Sequence, residues 1–203
     1  MNASGLLGQA LRAFMTPRRF AGSHAVSSPT QTLPANITAD LRTDHAGEVG
    51  AVYIYTGALF FSRDASVRAF ATRHLETERA HLRQMEHWLP KADTSALLPL
   101  WQVAGWVTGA LPALLGAHAF YATVETVERF VDQHYDEQVR RLDGMPSLKP
   151  LKDLLVACQQ DEVAHRDEAA AACGAPAPTL VLRSWLFLVD AGSRAAVAIS
   201  RHV

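Results

Sequence analysis

Beyond Pro34, apolar residues recur at the three- and four-residue spacing of amphipathic helices, and no run alternates as a strand would. Breaks at Pro90, at residues 143–146 and at Gly174 divide this pattern into segments. We predict long helices over residues 37–61, 65–89, 113–141 and 148–173, and an apolar helix over residues 180–203. The pattern therefore predicts an all-α protein in which four long helices carry the core.

A stretch without any Asp, Glu, Lys or Arg runs from residue 95 to residue 124. Its length fits a transmembrane span, but Pro and Gly residues interrupt it, and it leads directly into a helix that carries Glu128. A helix lying in the membrane interface, followed by a buried bundle helix, fits this order of residues better than a span. The apolar helix at residues 180–203 offers a second such surface.

Two Glu-x-x-His pairs, Glu78 with His81 and Glu162 with His165, lie on different predicted helices. Residues three apart share one helix face, so each pair can direct a carboxylate oxygen and an imidazole nitrogen to one point. A single pair of this kind is more often surface decoration, since Glu and His are common on solvated helix faces. The meaning of the pairs depends on the helices that precede them.

Each Glu-x-x-His pair follows, at a similar distance, a helix with an acidic residue among small or apolar neighbours. Glu48 precedes the first pair, and either Glu125 or Glu128 precedes the second. Two helical hairpins that each supply one Glu and one Glu-x-x-His form the ligand set of the ferritin-like four-helix di-metal site. The sequence therefore predicts a ferritin-like bundle with additional apolar helices at a membrane interface.

The charge of these ligands predicts the kind of ion they would hold. Four carboxylates buried in one core carry about four negative charges, which require compensation. Two divalent cations would balance them. Carboxylate and imidazole ligands without a thiolate favour iron or manganese over zinc or copper(I).

Residues around the ligands carry further expectations. We expect Asp161 to reach across the bundle and orient His81 through a hydrogen bond, with an ordinary surface Asp as an equal alternative. Tyr135 is the candidate for a buried hydroxyl near the site, with plain core packing as its alternative. We expect His74 to face solvent.

Composition narrows the class of protein further. Of the 203 residues, 49% are apolar and 19% are charged, and the formal net charge is −1, which offers no basic surface for nucleic acid. Cys158 and Cys173 form no metal-binding or disulfide pattern. We expect residues 1–36 to be a flexible tail, with a mitochondrial presequence or a lipid-contacting segment as alternatives. Residues 37–203 would form one ferritin-like domain.

Several blocks of sequence resemble one known family in order and spacing. They are Leu41-Arg42-Thr43-Asp44-His45-Ala46-Gly47-Glu48, the Glu78/His81 pair, Leu98-Pro99-Leu100-Trp101, Leu114-Leu115-Gly116, the segment from Glu128 to His134-Tyr135, and Asp161-Glu162-x-x-His165. From about residue 39 to the C-terminus, the chain resembles the demethoxyubiquinone hydroxylase family. The resemblance selects Glu128 over Glu125, whereas Arg129 stands where the family often has a second acid.

The resemblance implies a membrane-associated di-iron monooxygenase that hydroxylates the ring of a demethoxyubiquinone-type polyprenyl quinol in ubiquinone biosynthesis. It implies two iron ions that cycle between Fe²⁺ and Fe³⁺, O₂ as co-substrate, and an external electron donor, with NADH as one candidate. It implies that Glu78 and Glu162 bridge the ions. The implied iron ligands are Glu48, Glu78, His81, Glu128, Glu162 and His165.

The resemblance also sets expectations for partners and location. A polyprenyl quinone would be reached from a peripheral position, on the cytoplasmic face of a bacterial inner membrane or the matrix side of a mitochondrial inner membrane. Exposed apolar faces would also suit a homo-oligomer or a complex of ubiquinone-biosynthesis proteins. The main alternative is another ferritin-like di-iron oxidase or a peroxide-scavenging protein, which would share the ligands without needing apolar surface helices.

Overall fold

The computed structural model describes residues 33–174 and 177–203. This part of the chain contains six α-helices and no strand, which confirms the all-α prediction. The helices are α1 (Ala35–Phe61), α2 (Ala65–Trp88), α3 (Leu98–Leu115), α4 (Ala117–Arg141), α5 (Lys149–Cys173) and α6 (Leu180–Ser200). The tail expected at residues 1–36 lies outside the described residues except for residues 33–36, and α1 begins within these at Ala35.

Helices α1, α2, α4 and α5 form a four-helix bundle. α1 pairs with α2, α4 pairs with α5, and α2 also contacts α4 and α5. Apolar residues of these helices form two clusters, one around Tyr55, Phe70 and Phe120 and the other around Met85 and Leu151. Along every bundle helix, the predicted metal ligands lie between its residues of one cluster and its residues of the other. The ligands therefore occupy a polar layer between two apolar layers.

Helix α3 packs along α1 through glycine residues. A Cβ atom added at Gly109 would lie 1.8 Å from the carbonyl oxygen of Ile54, and one added at Gly105 would lie 2.3 Å from that of Gly50. Because only hydrogen fits between these backbones, the two helices approach more closely than side chains would allow. The spacing of Gly105 and Gly109 places both on one face of α3, and this face fixes α3 along the outside of the bundle.

The prediction of one continuous helix over residues 113–141 is wrong, because the helix ends at Gly116. Gly116 has a φ of 113°, a conformation that any side chain larger than hydrogen disfavours. Its N–H donates to the carbonyl oxygen of Pro112 at 3.1 Å, and α4 starts at the next residue. The break allows α3 to leave the bundle and lie on α1 while α4 remains in the core.

Helix α6 is tied to the bundle near both of its ends. Trp185 Nε1 donates to Thr123 Oγ1 of α4 at 3.0 Å. Just beyond the other end, Arg201 Nη1 lies 2.6 Å from Asp40 Oδ1 of α1. Arg141 Nε of α4 lies 2.9 Å from Asp40 Oδ2. This buried carboxylate therefore joins α1, α4 and the end of α6.

Candidate metal centre

The six predicted ligands meet at one place in the middle of the bundle. They form two groups, and within each group one ligand atom from every residue lies within 4.8 Å of the others. The first group is Glu48, Glu78, His81 and Glu162, and the second is Glu78, Glu128, Glu162 and His165. Each of the six is at most 4% exposed, so these are not solvated surface groups. Glu78 and Glu162 belong to both groups.

In the first group, the Nδ1 atom of His81 faces three carboxylates. It lies 3.0 Å from Glu162 Oε1, 3.7 Å from Glu48 Oε2 and 3.8 Å from Glu78 Oε2. Neither His81 Nδ1 nor Glu162 Oε1 has a partner in hydrogen-bond geometry. Buried polar atoms without a hydrogen bond are rare, and their convergence on one position fits a bound cation.

The second group repeats this arrangement around His165. Its Nδ1 atom lies 3.1 Å from Glu78 Oε1 and 3.1 Å from Glu162 Oε2. Each histidine therefore directs the same ring nitrogen towards the centre and meets the glutamate of the other Glu-x-x-His pair. Four carboxylates and two imidazoles without a thiolate suit two divalent ions of iron or manganese.

Two buried tyrosines hold the glutamates that α1 and α4 supply. Tyr135 Oη donates to Glu48 Oε1 at 2.6 Å, and Tyr55 Oη donates to Glu128 Oε1 at 3.1 Å. Tyr135 is thus a buried hydroxyl beside Glu48, which is one of the two placements that the sequence left open, whereas no motif singles out Tyr55. The signal that identifies Tyr55 is its position: it follows Glu48 by seven residues, as Tyr135 follows Glu128, which places each on the ligand face of its helix.

The protein groups perturb one another's protonation strongly. Burial raises the pKa of Glu48 and of Glu128 well above the ordinary carboxyl value, and neighbouring carboxylates raise it further. Burial also raises the pKa of Glu162, but the imidazoles of His165 and His81 lower it more, so that its net shift is downward. The raised pKa of Glu48 and Glu128 reflects the cost of burying several negative charges together, a cost that bound cations would relieve.

Asp161 lies beside His81 on the side away from the centre. Its Oδ2 atom is 3.2 Å from His81 Nε2, which is the cross-helix contact that the sequence predicts. Because a carboxylate oxygen accepts hydrogen bonds, His81 Nε2 is the donor in this contact, and the contact fixes the ring. Glu125, the alternative to Glu128, lies outside the site and pairs with Arg129 on the helix surface.

His74 is buried, so the expectation that it faces solvent is wrong. The centre of its ring lies 3.9 Å from that of His165, edge to face, and its Nε2 lies 3.1 Å from Glu168 Oε2. The sequence does contain a signal for this placement. His74 precedes Glu78 by four residues and His81 by seven, and these spacings put all three on one face of α2.

A cavity of about 530 Å³ leads to the ligands from between α3 and α6. The four ligand glutamates line it. Apolar side chains form most of its remaining wall, among them Ile54, Trp101, Val127, Val131 and Val189. The carboxylates are therefore reached through a mainly apolar passage.

The outer faces of α3 and α6, on either side of this passage, are apolar and exposed. Leu100 and Val103 on α3 are 60% and 62% exposed, and Leu180 and Phe187 on α6 are 78% and 71% exposed. Among the described helices, α3 alone is long and apolar enough to cross a membrane. Apolar side chains exposed at this density favour contact with lipid or with another protein.

A bundle in which two helices supply one Glu each, and the two others supply a Glu-x-x-His each, defines the ferritin-like di-metal carboxylate class of proteins. Comparison with known sequences narrows this class. A sequence model of the family described as "Ubiquinone biosynthesis protein COQ7" matches residues 35–200. The chain belongs to this family.

Relatives with similar sequences cover most of the chain. A Caenorhabditis elegans protein named "NADPH-dependent 3-demethoxyubiquinone 3-hydroxylase, mitochondrial" is 31% identical over 186 residues, 90% of this chain and 96% of the relative. A Rhodospirillum rubrum protein named "3-demethoxyubiquinol 3-hydroxylase" is 37% identical over 166 residues, 80% of this chain and 76% of the relative. A Homo sapiens protein with the same name as the nematode relative is 30% identical over 168 residues, 80% of this chain and 76% of the relative.

Proposed function

We propose that this chain is an O₂-dependent di-iron monooxygenase that hydroxylates the ring of a demethoxyubiquinone-type polyprenyl quinol in ubiquinone biosynthesis. The observation that carries this proposal is an apolar cavity of about 530 Å³ that ends at a six-ligand carboxylate and histidine site. Storage of iron or removal of peroxide needs no such passage, whereas an aromatic ring with an isoprenoid tail does. The names of the nematode, bacterial and human relatives support this substrate class.

In this proposal, the six ligands would hold two iron ions, and Glu78 and Glu162 belong to both ligand groups. When bound, the reduced ions supply the activation of dioxygen. Two divalent ions balance the four carboxylates, and the donor set contains only the oxygen and nitrogen ligands that suit iron. Manganese suits the same ligands, so the metal content is part of the test.

The residues around the ligands fix the orientation of the ligand side chains and exclude water from them. Tyr135 donates to one oxygen of Glu48 and Tyr55 to one oxygen of Glu128, which leaves the second oxygen of each carboxylate for a metal. Asp161 holds the ring of His81 from behind. The apolar wall of the cavity excludes water from these charged groups, and this strengthens every electrostatic interaction among them.

The reaction requires electrons from outside the chain. One oxygen atom of O₂ enters the ring as a hydroxyl group and the other leaves as water, which consumes two electrons and two protons. A reduced nicotinamide supplies the electrons in this proposal. NADH is one candidate that the sequence resemblance suggests, and the names of the nematode and human relatives favour NADPH. The chain contains no Gly-x-Gly-x-x-Gly loop, so the donor binds transiently or acts through a separate reductase.

The exposed faces of α3 and α6 would rest on the membrane that contains the quinol. Gly105 and Gly109 attach one face of α3 to α1, which supports a helix lying on the bilayer over one that crosses it. The protein would sit on the cytoplasmic face of a bacterial inner membrane, or on the matrix side of the mitochondrial inner membrane. A homo-oligomer or a complex of ubiquinone-biosynthesis proteins would cover the apolar surface that remains.

Complementation tests this function directly. The chain is expressed in a ubiquinone-requiring strain that lacks its own hydroxylase for this step, and the extracted quinones are measured by mass spectrometry. We expect the demethoxy intermediate to disappear and ubiquinone to return. Glu162→Ala should abolish this rescue, whereas Glu76→Ala, which changes an exposed glutamate of α2, should retain it.

The alternative outcome is equally clear. If the intermediate persists while folded, iron-loaded protein is present, the site acts on another substrate. The ferritin-like oxidase or peroxide-scavenging function would then be the better description. Protein that restores ubiquinone without any bound iron would contradict the di-iron mechanism itself.

A further inference from the structure

We propose that His74, held in place by Glu168, is a positioning residue that sets the ring orientation of His165. The iron at Glu128 and His165 would then depend on a contact that the iron at Glu48 and His81 does not have. This inference rests on the proposed function, because it assumes that the two ligand groups each hold an ion.

The contacts of His74 leave its ring little freedom. One side of the ring packs on Phe70, with ring centres 4.0 Å apart, and another packs on His165, with ring centres 3.9 Å apart at an interplanar angle of 66°. His74 Nε2 lies 3.1 Å from Glu168 Oε2. Glu168 in turn forms an ion pair with Arg73. A side chain fixed by two rings and a hydrogen bond is a rigid support for its neighbour.

This support matters because an imidazole ligand can turn about its Cβ–Cγ bond. His165 must keep Nδ1 directed at Glu78 and Glu162, which lie 3.1 Å away. The edge-to-face contact between the rings of His74 and His165 restricts that rotation by packing rather than by a hydrogen bond. Residues that orient a ligand in this way affect metal affinity strongly although they never touch the ion.

The other histidine ligand, His81, is held by a hydrogen bond instead. His81 Nε2 donates to Asp161, the residue directly before Glu162. The residue directly before Glu78 is Thr77, which has no carboxylate to offer His165. Conversely, the residue four before Glu162, which corresponds to His74, is the buried Cys158. The structure thus uses a carboxylate at one iron position and a packed imidazole at the other.

Three variants of the full-length chain separate this role from a general effect on folding. His74→Ala removes both the ring and the hydrogen bond, whereas Glu168→Ala keeps the ring and removes the hydrogen bond together with the ion pair to Arg73. His74→Phe keeps a ring of similar shape but has no donor. Glu76→Ala is the matched control on the exposed side of α2. Each protein is loaded with ⁵⁷Fe, and bound iron per chain and the Mössbauer spectrum are recorded.

We expect wild-type protein and Glu76→Ala to bind two irons with two distinct quadrupole doublets. His74→Ala and Glu168→Ala should alter one doublet only. They should lower the affinity for one of the two irons by roughly 10- to 100-fold. His74→Phe should have a smaller effect on the same doublet. Because Glu168 is 44% exposed, its variant should fold even if His74→Ala does not.

Two results would overturn this inference while leaving the proposed function intact. One is an unchanged spectrum and full iron content in both His74→Ala and Glu168→Ala. The other is an equal change in both doublets, which would mean a general loosening of the bundle. Wild-type protein that takes up no iron would instead overturn the proposed function, and this inference with it.

Discussion

The two halves of the candidate metal site, one on α1 and α2 and the other on α4 and α5, are alike at the centre and different around it. Each half supplies a Glu, a Glu-x-x-His pair, and a tyrosine seven residues after the first Glu. Each tyrosine donates a hydrogen bond to a glutamate of the other half, Tyr135 to Glu48 and Tyr55 to Glu128. These two residues, Glu48 and Glu128, are the outer glutamates. Outside this layer the likeness ends: His81 meets Asp161, whereas His165 meets His74.

The helices that cover the two halves, α3 and α6, also attach to the bundle through different kinds of contact. α3 lies on α1 through direct contact between backbones at Gly105 and Gly109. α6 lies on α4 through side chains, including the hydrogen bond from Trp185 to Thr123. The likeness at the centre is what the charge balance and geometry of two neighbouring divalent ions would require. The surroundings need only hold those ligands still, and packing and hydrogen bonding both achieve this.

The largest expected effect comes from the two glutamates that both halves share. Glu78→Ala and Glu162→Ala should each reduce bound iron from two per chain to nearly none and abolish ring hydroxylation, since each of these residues belongs to both ligand groups. Iron per folded chain is measured by elemental analysis, with circular dichroism as the check on folding and Glu76→Ala as the control. A variant that keeps one iron would show that each half loads independently.

Much of the centre could be predicted from the sequence because its determinants are local. The spacing of Glu78 and His81, and of Glu162 and His165, fixes a shared helix face whatever surrounds it. The choice between Glu125 and Glu128 was different, because burial decides it. The resemblance to a family favoured Glu128, and the structure places Glu125 at the surface with Arg129.

The features that the sequence did not reveal depend on contacts between distant segments. The cavity forms between α3 and α6, which are far apart along the chain, so no local pattern contains it. The helix break at Gly116 depends on α3 leaving the bundle to pack on α1, although Pro112 and Gly116 mark the place. Tyr55 and His74 lie at helical spacing from ligands, but that spacing alone does not distinguish them from ordinary core residues.

The second-largest effect should come from the contact between α3 and α1. Gly109→Val would force side-chain atoms into the backbone of Ile54 and should reduce the free energy of unfolding by about 3 kcal/mol, as measured by urea denaturation. Gly192→Ala on α6 is the matched control, because a Cβ atom there meets nothing within 4 Å. It should raise the stability by up to about 1 kcal/mol. Equal stabilities for the two variants would mean that α3 is no more tightly packed than α6.

A smaller and more local effect should follow from Asp161→Asn. The amide still accepts a hydrogen bond from His81 Nε2 but carries no charge, so His81 becomes a weaker ligand. We expect the affinity for one iron to fall by about 10-fold, with a change in the Mössbauer doublet that His74→Ala leaves unaltered. Asp153→Asn, an exposed acid on the same helix that pairs with Lys149, should have no effect. If Asp161→Asn changed the same doublet as His74→Ala, Asp161 and His74 would not act on different histidines, which would contradict this assignment.

The smallest expected effect distinguishes the two tyrosines. Tyr135→Phe and Tyr55→Phe keep the shape of the ring and remove only the hydroxyl that donates to a buried carboxyl group. The loss should cost roughly 1–2 kcal/mol of stability in the metal-free protein, and more for Tyr135, because its hydrogen bond is shorter, 2.6 Å against 3.1 Å. Urea denaturation of the two variants and of Tyr121→Phe, whose hydroxyl donates to Ser66 away from the ligands, measures the difference. Equal losses for Tyr135 and Tyr55 would mean that the two halves hold their outer glutamates with equal strength, and the asymmetry would then be confined to the histidines.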